Sequence, residues 1–197
     1  MEQTFKHLVA LTGLSAQDYK ILQNTADQTQ PWADEIVKVF YDILFNYAPT
    51  AHIFKTGERT ERETVLHTWY LKVTAGKLDR QFWRRIWLVG SVHIARGVTN
   101  PLMLGMMSQI QQRFLHKCLQ TFEVKQAEQV YNAFKRITDI VAALIADSYL
   151  TSHRIEAIEK VKTKKRMENS LLLWNHLIKA PDVDEESHDG RLVEASH

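Results

Sequence analysis

Residues 79–98 read DRQFWRRIWLVGSVHIARGV. Asp79 is placed to cap a helix that opens at Arg80 and ends at Gly97. Within it Phe82, Ile86, Val89 and His93 recur at spacings of 4, 3 and 4. Residues so spaced share one face of an α-helix, so His93 lies on the apolar stripe turned to the core. Gly90 precedes it by three residues and leaves the backbone bare, so a flat ligand or another helix can come close there. Two readings of His93 stand. A lone histidine on an apolar face is most often a core residue with a hydrogen-bonded ring. The sharper reading is an axial iron ligand projecting inward near a helix end. No second histidine or carboxylate follows one turn later, so a zinc or di-iron helix site is not supported.

The rest of the chain is cut in the same way. It holds 7 Gly and 4 Pro in 197 residues, about half the usual share of breakers, which disfavours sandwiches, barrels and Gly-rich phosphate loops. Residues 2–12 form a first helix stopped by Gly13. Ser15 opens a second, with Asp18 at capping-box spacing. Pro31 suits the first turn of a third, which runs to about Tyr47. A loop from Pro49 to Gly57 follows. Glu58 to Ala75 reads as a helix ended by Gly76. After the Asp79 helix come two long ones, roughly 101–121 and from Val124 towards Lys179, with a turn near Thr121–Lys125. No strand alternation is present, so the chain is all-α. Residues 181–197 are polar and acidic and read as a disordered tail.

Composition excludes several classes. The net charge of +2 lacks the basic excess of a nucleic-acid binder. The single cysteine, Cys118, rules out an internal disulfide and a cysteine zinc cluster. The first residues do not read as a signal peptide. The longest apolar run, Val141 to Ala146, is too short to span a bilayer. A cytoplasmic protein with no membrane and no nucleic-acid partner is expected.

Two further faces matter. Ile36, Val37, Phe40, Leu44 and Phe45 make one side of the Pro31 helix apolar around Tyr41. The Tyr41 hydroxyl either serves a ligand or rests at the edge of the core. On the Glu58 helix, stepping about 100° per residue from Arg62 puts Val65, Leu66, Trp69 and Val73 within about 60° of it. Arg62 sits at the outer end of that stripe, either reaching a bound anion or packing its stem while its charge faces solvent. His67 lies about 140° away, so it ranks low as a second ligand; His52 is weaker still.

The run Val89-Gly90-Ser91-Val92-His93-Ile94-Ala95-Arg96-Gly97-Val98 resembles the proximal segment of the protoglobins and globin-coupled sensors, an Ile/Val-Gly-x-x-His-x-Arg-Ile-Gly-Leu type of pattern. Phe40-Tyr41 matches their distal pair, and Pro101 with Gly105 their next helix entry. The similarity spans roughly residues 15–150. One departure is visible: Arg96 stands three residues after the histidine, where the family usually has its arginine two after.

The resemblance implies a globin fold, three helices over three with an extra N-terminal helix, over residues 1–150. A helical extension at 151–180 and the tail at 181–197 follow. It implies haem b, with His93 as the proximal ligand and Tyr41 as hydrogen-bond donor to a diatomic gas: oxygen, carbon monoxide or nitric oxide. Phe40, Phe54, Arg62, Val65, Leu66, Trp69 and Val89 would line the pocket. A hydroxyl donating to a partly charged acceptor would add about 1.5–3 kcal/mol to ligand binding. The resemblance also implies a homodimer through residues 101–150, by stripes such as Leu102, Met106, Ile110, Phe114 and Cys118, and a signal leaving through the C-terminal helix to a partner protein. With the sequence ending at residue 197, no output domain is expected. A non-haem regulatory module, or slow nitric oxide or peroxide chemistry at the haem, is the alternative; no distal acid–base pair suited to an enzyme is evident.

Overall fold

Helix boundaries follow the capping chemistry. The computed structural model describes residues 1–178, and the side chains of all of these but 152–157 and 171–178; the acidic tail expected at 181–197 lies outside the described residues. Nine α-helices are present there: α1 (Glu2–Thr12), α2 (Ala16–Asn24), α3 (Ala26–Thr29), α4 (Ala33–Asn46), α5 (Ala48–Ala51), α6 (Arg59–Thr74), α7 (Arg80–Ala95), α8 (Asn100–Thr121) and α9 (Val124–Ile178), with no strand. Ser15 opens α2 as its spacing predicts, donating its N–H to the Asp18 carboxylate at 2.8 Å and its hydroxyl at 2.9 Å. Asp79 caps α7 by accepting the Phe82 N–H at 2.7 Å. Gly13, Gly76 and Gly97 all take positive φ just past helix ends, which residues with a side chain seldom adopt.

Two details differ from the expectation. Pro31 does not start α4. It lies in a 3₁₀ turn, Gln30–Trp32, with α4 beginning at Ala33. The stretch expected to be a loop from Pro49 contains α5. Pro49 sits in the first turn of that helix, where its missing N–H costs nothing.

The chain divides into a unit from Met1 to Arg154 and a second from Ile155 onward. The first unit's core centres on α8 and α9. Phe114 and Phe134 stack with centroids 3.7 Å apart. Val130, Ile137, Val141, Leu144 and Ile145 join them, all buried. Tyr70 is fully enclosed and donates its hydroxyl to the Thr29 carbonyl at 2.8 Å. Asp18 is 2% exposed and is met by Arg136 of α9 at 2.6 Å, a buried carboxylate held by three donors. The α8 and α9 stripes expected at a dimer contact are therefore largely spent inside the protomer: Ile110, Phe114 and Cys118 are buried, and Leu102 and Met106 half-buried. Leu119, Val124 and Leu150 stay exposed. In the second unit, residues 158–170 are exposed. Among the described residues no helix is long and apolar enough to cross a membrane.

One crossing positions the histidine. A Cβ on Gly90 would lie 2.5 Å from Ser148 Cβ and 2.6 Å from the Ile145 carbonyl oxygen. Of the two partners open to Gly90 in sequence, the one present is a helix. Gly90 lets α7 lie directly against α9.

Candidate functional site

His93 sits one turn beyond that crossing. Its ring is half-buried and lies edge-on to Tyr149 of α9, with centroids 6.3 Å apart at 65°. Its Nδ1 is buried with no hydrogen-bond partner. Burial pushes the imidazole pKa down to about 4, because the charged form loses its water. At neutral pH the ring is neutral and keeps a lone pair for a metal. Its backbone is pinned as well. The carbonyl of His93 accepts the Val98 N–H at 2.9 Å, and that of Ile94 accepts the Gly97 N–H at 3.0 Å. Together with Gly97 at φ 75°, these bonds form a Schellman turn.

Opposite in sequence, α4 and α6 form a small separate apolar cluster. Val37, Tyr41 and Leu44 are buried, with Phe40, Phe45, Phe54, Leu66 and Met106 packed on them. The aromatic rings touch in a chain: Phe40–Tyr41 at 5.1 Å, Tyr41–Phe54 at 6.1 Å and Phe45–Phe54 at 4.9 Å. The Tyr41 hydroxyl donates to the Arg62 carbonyl at 2.9 Å. Burial raises its pKa to about 12, so it remains a donor at any physiological pH.

The remaining sequence candidates scatter. Leu66 belongs to both apolar clusters, whereas Trp69 and Val89 pack against the main core. Val65 is 57% exposed; the 3.6-residue period assigns it to the stripe but not to the stripe's buried centre. Arg62 donates to Glu61 at 2.7 Å, while its Nε is buried without a partner. His67 turns away to Asp34 of α4, 3.2 Å from its carboxylate. His52 is exposed. Among the described residues no group of three or more His, Cys, Asp or Glu converges.

One feature escaped sequence reasoning. Arg96, at the C-cap of α7, forms a bidentate pair with Glu58, at the N-cap of α6, at 2.8 and 3.1 Å. Arg96 first, and then the Lys55 N–H, hold the Glu58 carboxyl down at about 2. The pair ties the end of the helix carrying His93 to the start of the helix whose carbonyl receives Tyr41. Its sequence separation of 38 residues leaves no periodic trace. The offset of Arg96 by one residue was the available signal. A large open groove of about 1000 Å³ lies elsewhere, among Phe5, Tyr19, Leu78 and Trp83, and does not include His93.

A family model for Protoglobin matches residues 1–154. The globin domain of a Geobacter sulfurreducens globin-coupled sensor is similar in structure, with a TM-score of 0.68 at 19% identity, over 73% of this chain and 96% of that one. The globin domain of E. coli DosC, in a ferric form, matches with a TM-score of 0.64 at 13% identity, over 74% and 99%. No curated protein matches the chain. The fold is the all-α globin fold, and the chain belongs to the Protoglobin family.

Proposed function

We propose that the chain binds haem b through His93 and senses a diatomic gas, with Tyr41 as the donor to that gas. The observation that carries this is His93 itself: a neutral, half-buried imidazole with an orphaned buried nitrogen. A purely structural histidine satisfies its ring; this one does not. Arg62 Nε, another of the four buried side-chain atoms without a partner among the described residues, fits an anionic group such as a haem propionate. Haem, when bound, would supply an iron able to take a diatomic gas.

The other residues set the conditions. Phe40, Phe54, Leu66, Trp69 and Val89 keep water from the site, and in a dry site a hydrogen bond is stronger. Tyr41 holds its proton on the Arg62 carbonyl until a better acceptor arrives. One of the similar structures is the globin domain of a globin-coupled sensor, which supports sensing as the role here. The signal leaves through α9, and a second copy docks on the α8 and α9 faces where Leu119, Val124 and Leu150 remain exposed.

Reconstitution with haem tests the reading. The expected result is one Soret band per chain, ferrous spectra that shift with oxygen, carbon monoxide and nitric oxide, and loss of axial ligation in His93→Ala that added imidazole restores. A chain that takes up no haem, or an His93→Ala variant with the wild-type spectrum, refutes it.

A further inference from the structure

From Tyr41 to α9 the hydrogen bonds can be followed without a break. The Tyr41 hydroxyl donates to the Arg62 carbonyl at 2.9 Å. The Arg62 N–H donates to the Glu58 carbonyl at 3.1 Å. The Glu58 carboxylate takes both arms of Arg96. Arg96 and Val98 each donate an N–H to the His93 carbonyl, at 3.1 and 2.9 Å. The Val98 carbonyl accepts the Tyr149 hydroxyl of α9 at 2.7 Å. We infer that this strap is a coupling route, by which the state of the Tyr41 hydroxyl is transmitted to α9, with Glu58–Arg96 as its joint.

The inference rests on the gas-binding reading for its ligand, but its parts are on the molecule. Glu58 occupies the N-cap of α6, yet its carboxylate does not cap that helix; it reaches Arg96 instead. The carboxylate is thus spent between α6 and α7, with the Lys55 N–H as its other donor. The pair is bidentate, which fixes orientation as well as distance. Tyr149 is 5% exposed and meets the proximal turn twice, through its hydroxyl at Val98 and its ring at His93.

The switching step is a change of acceptor. The Tyr41 hydroxyl has one proton to donate. When it turns to a bound diatomic ligand, the Arg62 carbonyl loses it. The first turn of α6 is then held differently against Arg96, and Arg96 sits on the turn that carries the His93 carbonyl and the acceptor of Tyr149. Glu58 and Arg96 are thus positioning residues, acting on the ligand through Tyr41 and on α9 through Tyr149.

The test uses the full chain, reconstituted with haem and reduced, with oxygen as the probe. Amide hydrogen exchange is followed around residues 145–151 with and without the gas. In wild type the gas is expected to change exchange there; in Glu58→Gln the Soret band stays as in wild type and the gas-induced change falls to less than half. Arg96→Lys, which keeps the charge but loses the fork, behaves like Glu58→Gln, and Glu58→Asp restores part of the response. A full response in both Glu58→Gln and Arg96→Lys, or none in wild type, overturns the inference. If the chain takes no haem, the gas-binding reading fails, and the strap is judged without it. In the haem-free chain Glu58→Gln and Tyr149→Phe are combined in a double-mutant cycle. Coupling is expected to move the unfolding constant more than about twofold from the product of the single effects, whereas separate sites stay within that factor.

Discussion

Gly90→Ala sets two physical effects of opposite sign against each other. In an open helix this change stabilises by about 1 kcal/mol, because alanine has less backbone freedom to lose on folding. Gly90 is not open. The new Cβ would stand 2.5 Å from Ser148 Cβ and 2.6 Å from the Ile145 carbonyl oxygen, where 3.4 Å is the start of ordinary contact. Relief requires α7 and α9 to part by about 0.9 Å, the difference between those separations. Overpacking of this kind costs about 1–3 kcal/mol. A backbone carbonyl cannot rotate out of the way, so the upper end applies. Net of the helix gain, a loss of about 2 kcal/mol remains. For a unit of this size that lowers Tm by about 4–8 °C. Gly105→Ala in α8 is the control. Nothing lies within 4 Å of its Cβ, so the same exchange should raise Tm by about 2–4 °C. Urea and thermal melts of both variants, without haem, give the comparison. Displacing α7 also moves His93, so haem transfer to an apoglobin acceptor should be faster from Gly90→Ala than from wild type. If Gly90→Ala melts as high as Gly105→Ala, the close crossing of α7 and α9 is wrong, and with it the account of what holds His93.

Three other perturbations follow from the same structure. His93 is held near pKa 4 against about 6.5 in an unfolded chain. Its depressed value means that stability is fully present above pH 6.5 and is lost as pH falls towards 4. In total about 3 kcal/mol is at stake in the haem-free protein, and a His93→Leu variant whose urea midpoint falls as steeply as wild type across that window would count against it. Tyr41→Phe removes the hydroxyl from the Arg62 carbonyl, for about 1 kcal/mol of haem-free stability. In the loaded protein it should speed oxygen release about ten- to a hundredfold in stopped flow, and an unchanged rate removes Tyr41 from the ligand. Arg136→Met leaves the buried Asp18 carboxylate with only its two Ser15 donors and should cost about 2 kcal/mol in urea unfolding, most of which returns in the double variant with Asp18→Asn; additive losses would show that the two do not act as a pair.

Much of the fold was legible because its signals are local. Ser15 with Asp18, Asp79, and the glycines at 13, 76 and 97 are each read from a few neighbouring residues, and each sits where capping chemistry requires it. The errors were local as well. Pro31 and Pro49 tolerate more than one first turn, so one entered a 3₁₀ turn and the other a short helix. The site was legible only in part. Periodicity placed His93 and Tyr41 on apolar faces. It could not set how wide the buried part of a face is, and Val65 fell outside it. It could not choose the partner of Gly90, because that choice depends on α9, some fifty residues on. Bonds such as Tyr149 to Val98 and Arg96 to Glu58 join chain positions with no shared period, and only the folded chain brings them together.

The displaced arginine gains its meaning from helix geometry. A residue two positions after His93 points about 200° from it round the helix, to the far side of α7. That position holds Ala95, which is exposed. A residue three positions after points about 60° from His93 on the opposite sense, back to the histidine's own side. Moving the cation by one residue therefore carries it from the outer face of α7 to the histidine's side, within reach of the start of α6. There Glu58 receives it. The family pattern and this chain thus differ by more than a register slip. With arginine at the later position, the end of the His93 helix acquires an ionic tie to the start of the helix that holds Tyr41. An Ala95→Arg, Arg96→Ile double variant, which restores the family order, removes that tie while keeping the net charge. If the strap couples the two sides, such a chain should bind haem as before and lose the gas-dependent change on α9.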